Sequence, residues 1–204
     1  MRRPYPGTPI LGVVMAASFL LLSPPSPSRA AGAAAETTRV VVFHPWGVRG
    51  QPLRGHCWTS SSAAWRPDAW RCLAGNQILD PCFSASPHVS SVICQVLPPF
   101  TGRGLRLRLT QPLPLGERGR WPRLPHAWVI QLEQGVTCAY FTSMPPPMAN
   151  PHATPPSYGC SDGTYLMEPR PGRLWTATRV WLRDTQRGFV IRRARATPLP
   201  MVWE

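Results

Sequence analysis

Three residues of this chain have the types that thiol chemistry requires. Cys57 stands in the stretch Gly-His-Cys-Trp, Gln51 precedes it, and His126 follows in the segment Pro-His-Ala-Trp. A cysteine thiolate, an amide that stabilises an oxyanion and a histidine base can together cleave an amide bond. Whether this chemistry is available depends on one property of Cys57, namely whether its sulfur is free or bonded.

The surroundings of Cys57 resemble the motif of papain-type cysteine peptidases. In that family a Gln precedes the nucleophile by six residues, a Gly by two, and a Trp follows it, and Gln51, Gly55, Cys57 and Trp58 match. The resemblance implies Cys57 as nucleophile, Gln51 as oxyanion donor and His126 as base. The chain departs from the family at the proline after Gln51, where the family has glycine, and His126 follows much sooner than the family's histidine. A free Cys57 would also leave another cysteine unpaired, so a small secreted hydrolase is the alternative hypothesis only.

The first 35 residues have the organisation of a secretory signal peptide. Arg2 and Arg3 precede an uninterrupted apolar run from Ile10 to Leu22, and the small residues Ala33 to Ala35 provide a cleavage site. At about 1.5 Å per residue the apolar run extends roughly 20 Å, which is shorter than a bilayer core of about 30 Å. We therefore predict a signal peptide over 1–35, a secreted or extracytoplasmic cell-envelope location, and no transmembrane span in the mature chain.

All six cysteines follow the predicted signal peptide, so we expect them to lie in an oxidising compartment, where cysteines form disulfides. An even number of cysteines outside the cytosol favours three disulfides, for which fifteen pairings exist. We prefer bridges between cysteines that are neighbours in sequence, because each closes a short to moderate loop. The preferred pairs are Cys57–Cys72, Cys82–Cys94 and Cys138–Cys160.

Metal and carboxylate chemistry have little support in the sequence. The five histidines are scattered and no Cys-x-x-Cys occurs, whereas structural zinc requires paired ligands at short spacing. We predict no metal site and no cofactor. Among the carboxylates, Asp80 stands out in the stretch Asp-Pro-Cys, where we expect it to be partly buried and to accept hydrogen bonds from backbone N–H groups or from an arginine. Such a role is structural rather than catalytic.

The charge of the chain is strongly positive and comes from arginine alone. The formal net charge is +13, the sequence contains no lysine, and loss of Arg2, Arg3 and Arg29 with the signal peptide lowers the charge to +10. Such a charge predicts attraction to anionic surfaces. Because export makes nucleic acid a poor partner, the predicted partner is an anionic cell-wall polymer or an envelope protein.

Two alternating segments place arginine where it could bind such a partner. Arginine next to tryptophan suits the recognition of carboxylate or phosphate groups. The candidate binding residues are Arg106, Arg108, Trp175, Arg179, Trp181 and Arg183.

Period-2 alternation and turn residues dominate the mature chain, as is typical of β proteins. Alternation over Leu105 to Thr110 predicts a strand with its leucines inward. Turn chemistry at Gly75-Asn76, at Glu133 to Gly135 and at Asp184 to Gly188 predicts three hairpins. The best helix candidate is Ser60 to Trp70.

The proline-rich stretches near 111–126 and 144–156 predict loops, since proline is excluded from central strands. Over 36–204 we predict a single secreted, mainly β domain. Its expected architecture is a small, disulfide-stapled β-sandwich or barrel-like domain with little helix.

The central motif resembles a family of uncharacterised exported six-cysteine proteins of high-GC bacteria. The shared pattern is Cys-Trp-Thr, then Arg-x-Asp-Ala-aromatic-Arg-Cys, then Gly-Asn-x-Ile-x-Asp-Pro-Cys-Phe. The matching residues are Cys57, Trp58, Thr59, Arg66, Asp68, Ala69, Trp70, Arg71, Cys72, Gly75, Asn76, Ile78, Asp80, Pro81, Cys82 and Phe83. The chain departs from the pattern after Cys94, where Gln95 replaces a proline. The resemblance implies secretion and three disulfides, and it carries no activity.

The sequence therefore favours a non-enzymatic protein. We predict an exported, disulfide-stabilised binding or structural module of the cell envelope or extracellular space, with an unknown ligand and an open oligomeric state. The alternative is the papain-like peptidase that would use Cys57 and His126.

Overall fold

The computed structural model describes the greater part of the mature chain. The described residues are 36–44, 49–86, 88–94, 103–114 and 126–204. The predicted signal peptide lies outside them, and all of them belong to the compact unit Ala34–Glu204. The described part is mainly β, as predicted, and its only helical element is the 3-10 turn Glu133–Gly135. It contains no helix with the length and apolar character that a membrane crossing requires.

The described residues between positions 49 and 109 form a closed five-stranded barrel. Its strands are β2 (Arg49–Ser60), β3 (Ala69–Ala74), β4 (Gln77–Phe83), β5 (Ser91–Cys94) and β6 (Arg103–Leu109). Consecutive strands pair antiparallel, and the parallel pair of β2 with β6 closes the barrel. As the alternation predicts, Leu107 is buried in the barrel core, while Arg106 and Arg108 are exposed on its outside.

The remaining strands form an open eight-stranded sheet. These strands are β1 (Arg39–Val41), β7 (Val129–Gln131), β8 (Thr137–Tyr140), β9 (Tyr158–Cys160), β10 (Tyr165–Leu166), β11 (Trp175–Thr185), β12 (Gly188–Leu199) and β13 (Met201–Trp203). Their spatial order is β1-β13-β7-β8-β9-β10-β11-β12, with β1 parallel to β13 and all other neighbours antiparallel. The strand β12 is therefore an edge of the sheet.

The three predicted hairpins are present. Gly75, Gly135 and Gly188 have φ values of 58°, 79° and 112°, which glycine adopts without the steric cost that a Cβ imposes. At Gly188 the space is also restricted, because a Cβ there would lie 2.6 Å from the carbonyl oxygen of Pro147. The loop 144–156 thus packs on the turn of the last hairpin. An isolated β-bridge pairs Met148 of this loop with Phe189.

The predicted helix over Ser60 to Trp70 is not formed. Residues 61–68 make a series of bends and a turn between β2 and β3. The hydroxyl of Ser61 accepts hydrogen bonds from the N–H groups of Ala63 and Ala64, so the side chain satisfies these donors locally.

The barrel packs against the sheet through an aromatic cluster. Phe43, Phe83 and Trp128 have ring centroids 5.0–5.6 Å apart. The guanidinium of Arg66 donates hydrogen bonds of 2.8 Å to the main-chain oxygens of Phe43 and Glu204. Arg66 therefore ties the turn region of the barrel to two strand ends of the sheet.

The three preferred disulfides are the ones that the structure contains. They are Cys57–Cys72, Cys82–Cys94 and Cys138–Cys160. Each joins two residues that stand directly opposite each other on paired antiparallel strands. Two bridges thus lie within the barrel and one within the sheet.

Candidate functional site

The structure deprives the peptidase hypothesis of its nucleophile. The sulfur of Cys57 is bonded to that of Cys72, and both residues are buried in the barrel core. A bonded sulfur supplies no thiolate, and the thiolate is the reactive species. The side chain of Gln51 lies outside the described part of the structure. The remaining residue of the proposed set, His126, makes contacts of another kind.

A second cluster surrounds Asp80, whose carboxylate is buried as expected. The carboxylate accepts hydrogen bonds from the hydroxyl of Ser61 and, at 3.1 and 2.7 Å, from the N–H and hydroxyl of Ser62. The guanidinium of Arg71 lies 3.7 Å away. The carboxylate thus holds the turn region after β2 against β4, which is a structural role.

One group of potential metal ligands occurs among the described residues. The sulfurs of Cys72, Cys82 and Cys94 lie within 4.8 Å of one another. Each is already bonded in a disulfide, so none is a thiolate, the form of cysteine that binds a metal.

His126 is buried between the barrel and the sheet. Its ring stacks on Trp65 at 4.0 Å, and Tyr140 contacts it edge-on at 4.8 Å. Its Nδ1 lies 3.6 Å from the Oε1 of Glu168, and its Nε2 has no hydrogen-bond partner within the described ranges. Burial and then the charge of Glu168 raise the pKa of the Tyr140 hydroxyl. These contacts make His126 a packing residue beside Glu168 rather than a base next to a nucleophile.

Acidification is expected to weaken the contact between His126 and Glu168. The neighbouring side chain of His126 is the main cause that holds the pKa of Glu168 below its usual value, against the opposing effect of partial burial. A carboxyl group with a lowered folded-state pKa stabilises the fold above its unfolded pKa, and this stabilisation is lost as the pH falls through the folded pKa. Because 58 % of the Glu168 side chain is exposed, solvent screening limits the loss to less than about 1 kcal/mol. In urea unfolding from neutral pH down through the carboxyl range, Glu168→Gln should show a shallower loss of stability than the wild type.

Glu204 offers a matched control with the opposite sign. Burial raises the pKa of Glu204, so its contribution to stability is present below the unfolded pKa and is lost as the pH rises through the folded pKa. Glu204→Gln should therefore gain stability relative to the wild type towards neutral pH, whereas Glu168→Gln should lose it. The same pH profile for Glu168→Gln and the wild type would refute the proposed contact.

The strands β11 and β12 form a pocket with the 3-10 turn as its opposite wall. We call it the arginine–tryptophan pocket, and its volume is about 230 Å³. It is lined by Leu132, Glu133, Gln134, Arg179, Trp181, Arg193, Arg195, Ala196, Thr197 and Pro198. Across the strand pair Arg179 stands opposite Arg195, and Trp181 stands opposite Arg193. Three guanidinium groups and one indole thus meet at one place.

The three arginines of this pocket differ in how their charges are compensated. Arg179 forms an ion pair with Asp162, and its Nε donates a 2.9 Å hydrogen bond to Thr164. Although partial burial opposes ionisation of Asp162, hydrogen bonds from Thr164 and the charge of Arg179 hold its pKa below the usual value. Among the described residues, Arg193 and Arg195 have no carboxylate within ion-pair distance. Two of the three guanidinium groups in the pocket are therefore without an ion pair in the described chain.

The indole of Trp181 lies close to two of the three guanidinium groups. The guanidinium carbons of Arg179 and Arg193 lie 5.4 and 5.0 Å from its ring centroid, within the range of cation–π attraction. The ring therefore helps to hold both guanidinium groups over the pocket.

The other residues predicted to bind are distributed over the molecule. Trp175 is only 5 % exposed and packs in the core of the sheet, so it presents no surface to a ligand. Arg183 is exposed on β11 beyond Trp181, while Arg106 and Arg108 are exposed on the barrel strand β6. The structure brings Arg179 and Trp181 together and leaves the others apart from the pocket.

Two pocket residues, Arg193 and Arg195, were absent from the predicted binding set. The predicted hairpin already implies that these residues pair with β11. If the register of Arg183 with Val190 continued without interruption, however, Arg192 would stand opposite Trp181. A β-bulge between Trp181 and Leu182 shifts the register by one residue and places Arg193 there instead. Alternation along a single strand does not reveal such a shift.

Comparisons with other proteins add no assignment to this geometry. No protein-family model matches the chain, and neither curated proteins nor solved structures gave a match.

Proposed function

We propose that this protein is an exported, non-enzymatic module of the cell envelope or extracellular space that binds an anionic polymer through its arginine surfaces. The observation that carries the proposal is the arginine–tryptophan pocket. There Arg193 and Arg195 lack a carboxylate partner in the described chain and line the same pocket as Trp181. An anionic group of a ligand would provide the missing counter-charge.

The extracellular part of the proposal is supported by the disulfides. Three bridges connect paired strands, and such bridges persist in oxidising compartments. The predicted signal peptide over 1–35 and membership of the exported six-cysteine family belong to the same proposal.

A second basic surface supports a polymer rather than a small anion as the ligand. Arg54, Arg106 and Arg108 are exposed on the outside of the barrel, and Arg54 stands next to Arg108 on the paired strands β2 and β6. Within the described residues these arginines have no ion-pair partner. A long anionic chain can contact several such places at once, which raises its overall affinity without a new kind of contact.

Salt-dependent binding is the expected result that tests this proposal. The mature protein should co-sediment with an insoluble anionic cell-wall preparation at low ionic strength and should be released at about 1 M salt, where the screening length falls to about 3 Å. A wall preparation from which the anionic polymers have been extracted is the matched control and should retain little protein. Absence of binding at low salt, or equal binding to extracted walls, would refute the proposed function.

A further inference from the structure

We infer that the arginine–tryptophan pocket is a subsite for a phosphodiester group, held by Arg193 and Arg195 with Arg179 as a third donor. This inference rests on the proposed function and specifies the chemistry of its ligand. Asp162 and Thr164 hold the side chain of Arg179 in place. The two arginines of β12 would therefore make most of the contacts with the ligand.

The distribution of the donors over two strands favours a tetrahedral group. A carboxylate is planar, and one guanidinium satisfies it with two parallel hydrogen bonds. The pocket instead presents guanidinium groups from two strands, Arg179 from β11 and Arg193 and Arg195 from β12. The oxygens of a phosphoryl group point in several directions and can accept hydrogen bonds from guanidinium groups on different sides.

The repulsion between arginine side chains in the free protein also favours the binding of an anion. Like charges that stand directly opposite each other on paired strands destabilise the pair, and Arg179 stands opposite Arg195. Asp162 compensates the charge of Arg179 only. A bound anion next to Arg193 and Arg195 would remove the remaining repulsion, so binding should stabilise the β11–β12 hairpin.

The size and the walls of the pocket limit the ligand to one anionic unit. The volume of about 230 Å³ lies below the range of roughly 300–1,000 Å³ that is usual for sites of whole small molecules. The opposite wall contains Glu133, whose carboxylate repels a second anion, and Gln134, whose amide can donate a hydrogen bond. One phosphodiester with its adjoining polyol or sugar fits these limits.

A comparison of three ligands tests the chemistry. Poly(glycerol phosphate) presents phosphodiesters on a soluble chain, phosphatidylglycerol vesicles present them on a lipid surface, and polyglutamate presents carboxylates only. At equal ionic strength the wild type should bind a phosphodiester ligand at least about tenfold more tightly than polyglutamate, which corresponds to about 1.4 kcal/mol. Tighter binding to the soluble polymer than to the vesicles identifies a wall-type source, and the reverse identifies a lipid headgroup.

Charge-matched variants test the location of the subsite. Arg193→Gln with Arg195→Gln should abolish the preference for phosphodiesters. Arg106→Gln with Arg108→Gln removes the same charge from the barrel and should weaken all ligands alike without changing the preference. Glu133→Gln should tighten phosphodiester binding. Because the four arginines are exposed, thermal unfolding should confirm that both double variants remain folded.

The outcomes distinguish a failure of the phosphodiester subsite from a failure of anionic-polymer binding. If the wild type binds polyglutamate as tightly as poly(glycerol phosphate), or if both double variants lower binding equally, the phosphodiester subsite is wrong while anionic-polymer binding stands. If no anionic ligand binds at low salt, both the subsite and the proposed function are wrong.

Discussion

Gly55→Ala is expected to prevent closure of the barrel. Gly55 lies on β2 where this strand runs beside β3 and pairs with β6, and a Cβ at this position would lie 2.0 Å from the carbonyl oxygen of Leu73 and 2.9 Å from Leu107 Cδ1. The clash is with backbone, so a change of side-chain rotamer cannot relieve it. The carbonyl of Gly55 also accepts hydrogen bonds from the N–H and hydroxyl of Thr110, which hold the strand in place.

We expect Gly55→Ala to lower the free energy of unfolding by more than about 4 kcal/mol, among the largest effects of single substitutions. Urea unfolding followed by circular dichroism measures this loss, and the yield of secreted protein should fall with it. Gly172→Ala is the matched control, because its Cβ would be 3.5 Å from the carbonyl oxygen of Leu174, an ordinary contact. Unfolding midpoints for Gly55→Ala and Gly172→Ala that agree within error would contradict the close approach of β2 to β3.

Asp80→Ala is expected to have the second large effect. The substitution removes the acceptor for the hydroxyl groups of Ser61 and Ser62 and for the N–H of Ser62, and it leaves Arg71 without its nearest carboxylate. Hydrogen bonds to charged groups contribute about 1.5–3 kcal/mol each, and removal of one member of a buried network leaves its partners unsatisfied. We expect a loss of about 3–5 kcal/mol.

The control for Asp80→Ala is Asp184→Ala on the exposed end of β11, which should change stability by less than about 0.5 kcal/mol. Chemical unfolding at neutral pH separates the two expectations. A loss for Asp80→Ala no larger than that for Asp184→Ala would show that the buried carboxylate does not hold the turn region after β2.

Turn chemistry and strand alternation were the features most readily predicted from the sequence. The hairpins at Gly75, Gly135 and Gly188 depend on a backbone conformation that glycine adopts easily, so a few neighbouring residues determine them. The three disulfides join cysteines that are neighbours in sequence and stand directly opposite each other on antiparallel strands, although the loop 144–156 separates the strands of Cys138 and Cys160.

The helix prediction was wrong because a contact with a residue distant in sequence determines the conformation of this segment. Ser60 to Trp70 contains good cap residues, but the hydroxyl of Ser61 donates to Asp80, which is distant in sequence and lies on β4. A long-range hydrogen bond to a buried carboxylate outweighs a weak helix preference. The prediction of a mainly β, disulfide-stapled sandwich or barrel-like domain was confirmed, and the described chain forms a closed barrel together with an open sheet.

The candidate site depends on tertiary features that a strand pattern does not contain. Trp175 and Trp181 occupy the same face of β11, yet the core covers Trp175 and leaves Trp181 at the pocket. A single bulge then decides that Arg193, rather than Arg192, stands opposite Trp181.

The sequence by itself determined the mainly β class and the hairpins, because both depend on neighbouring residues and on period-2 alternation. Only the tertiary structure decided that Cys57 is bonded, that His126 packs between barrel and sheet, and that two uncompensated arginines share a pocket with Trp181. The physical reason is that burial and charge compensation depend on contacts between distant residues. Strand register and packing establish those contacts. The one extra residue of the β-bulge in β12 is enough to change which arginine stands opposite Trp181.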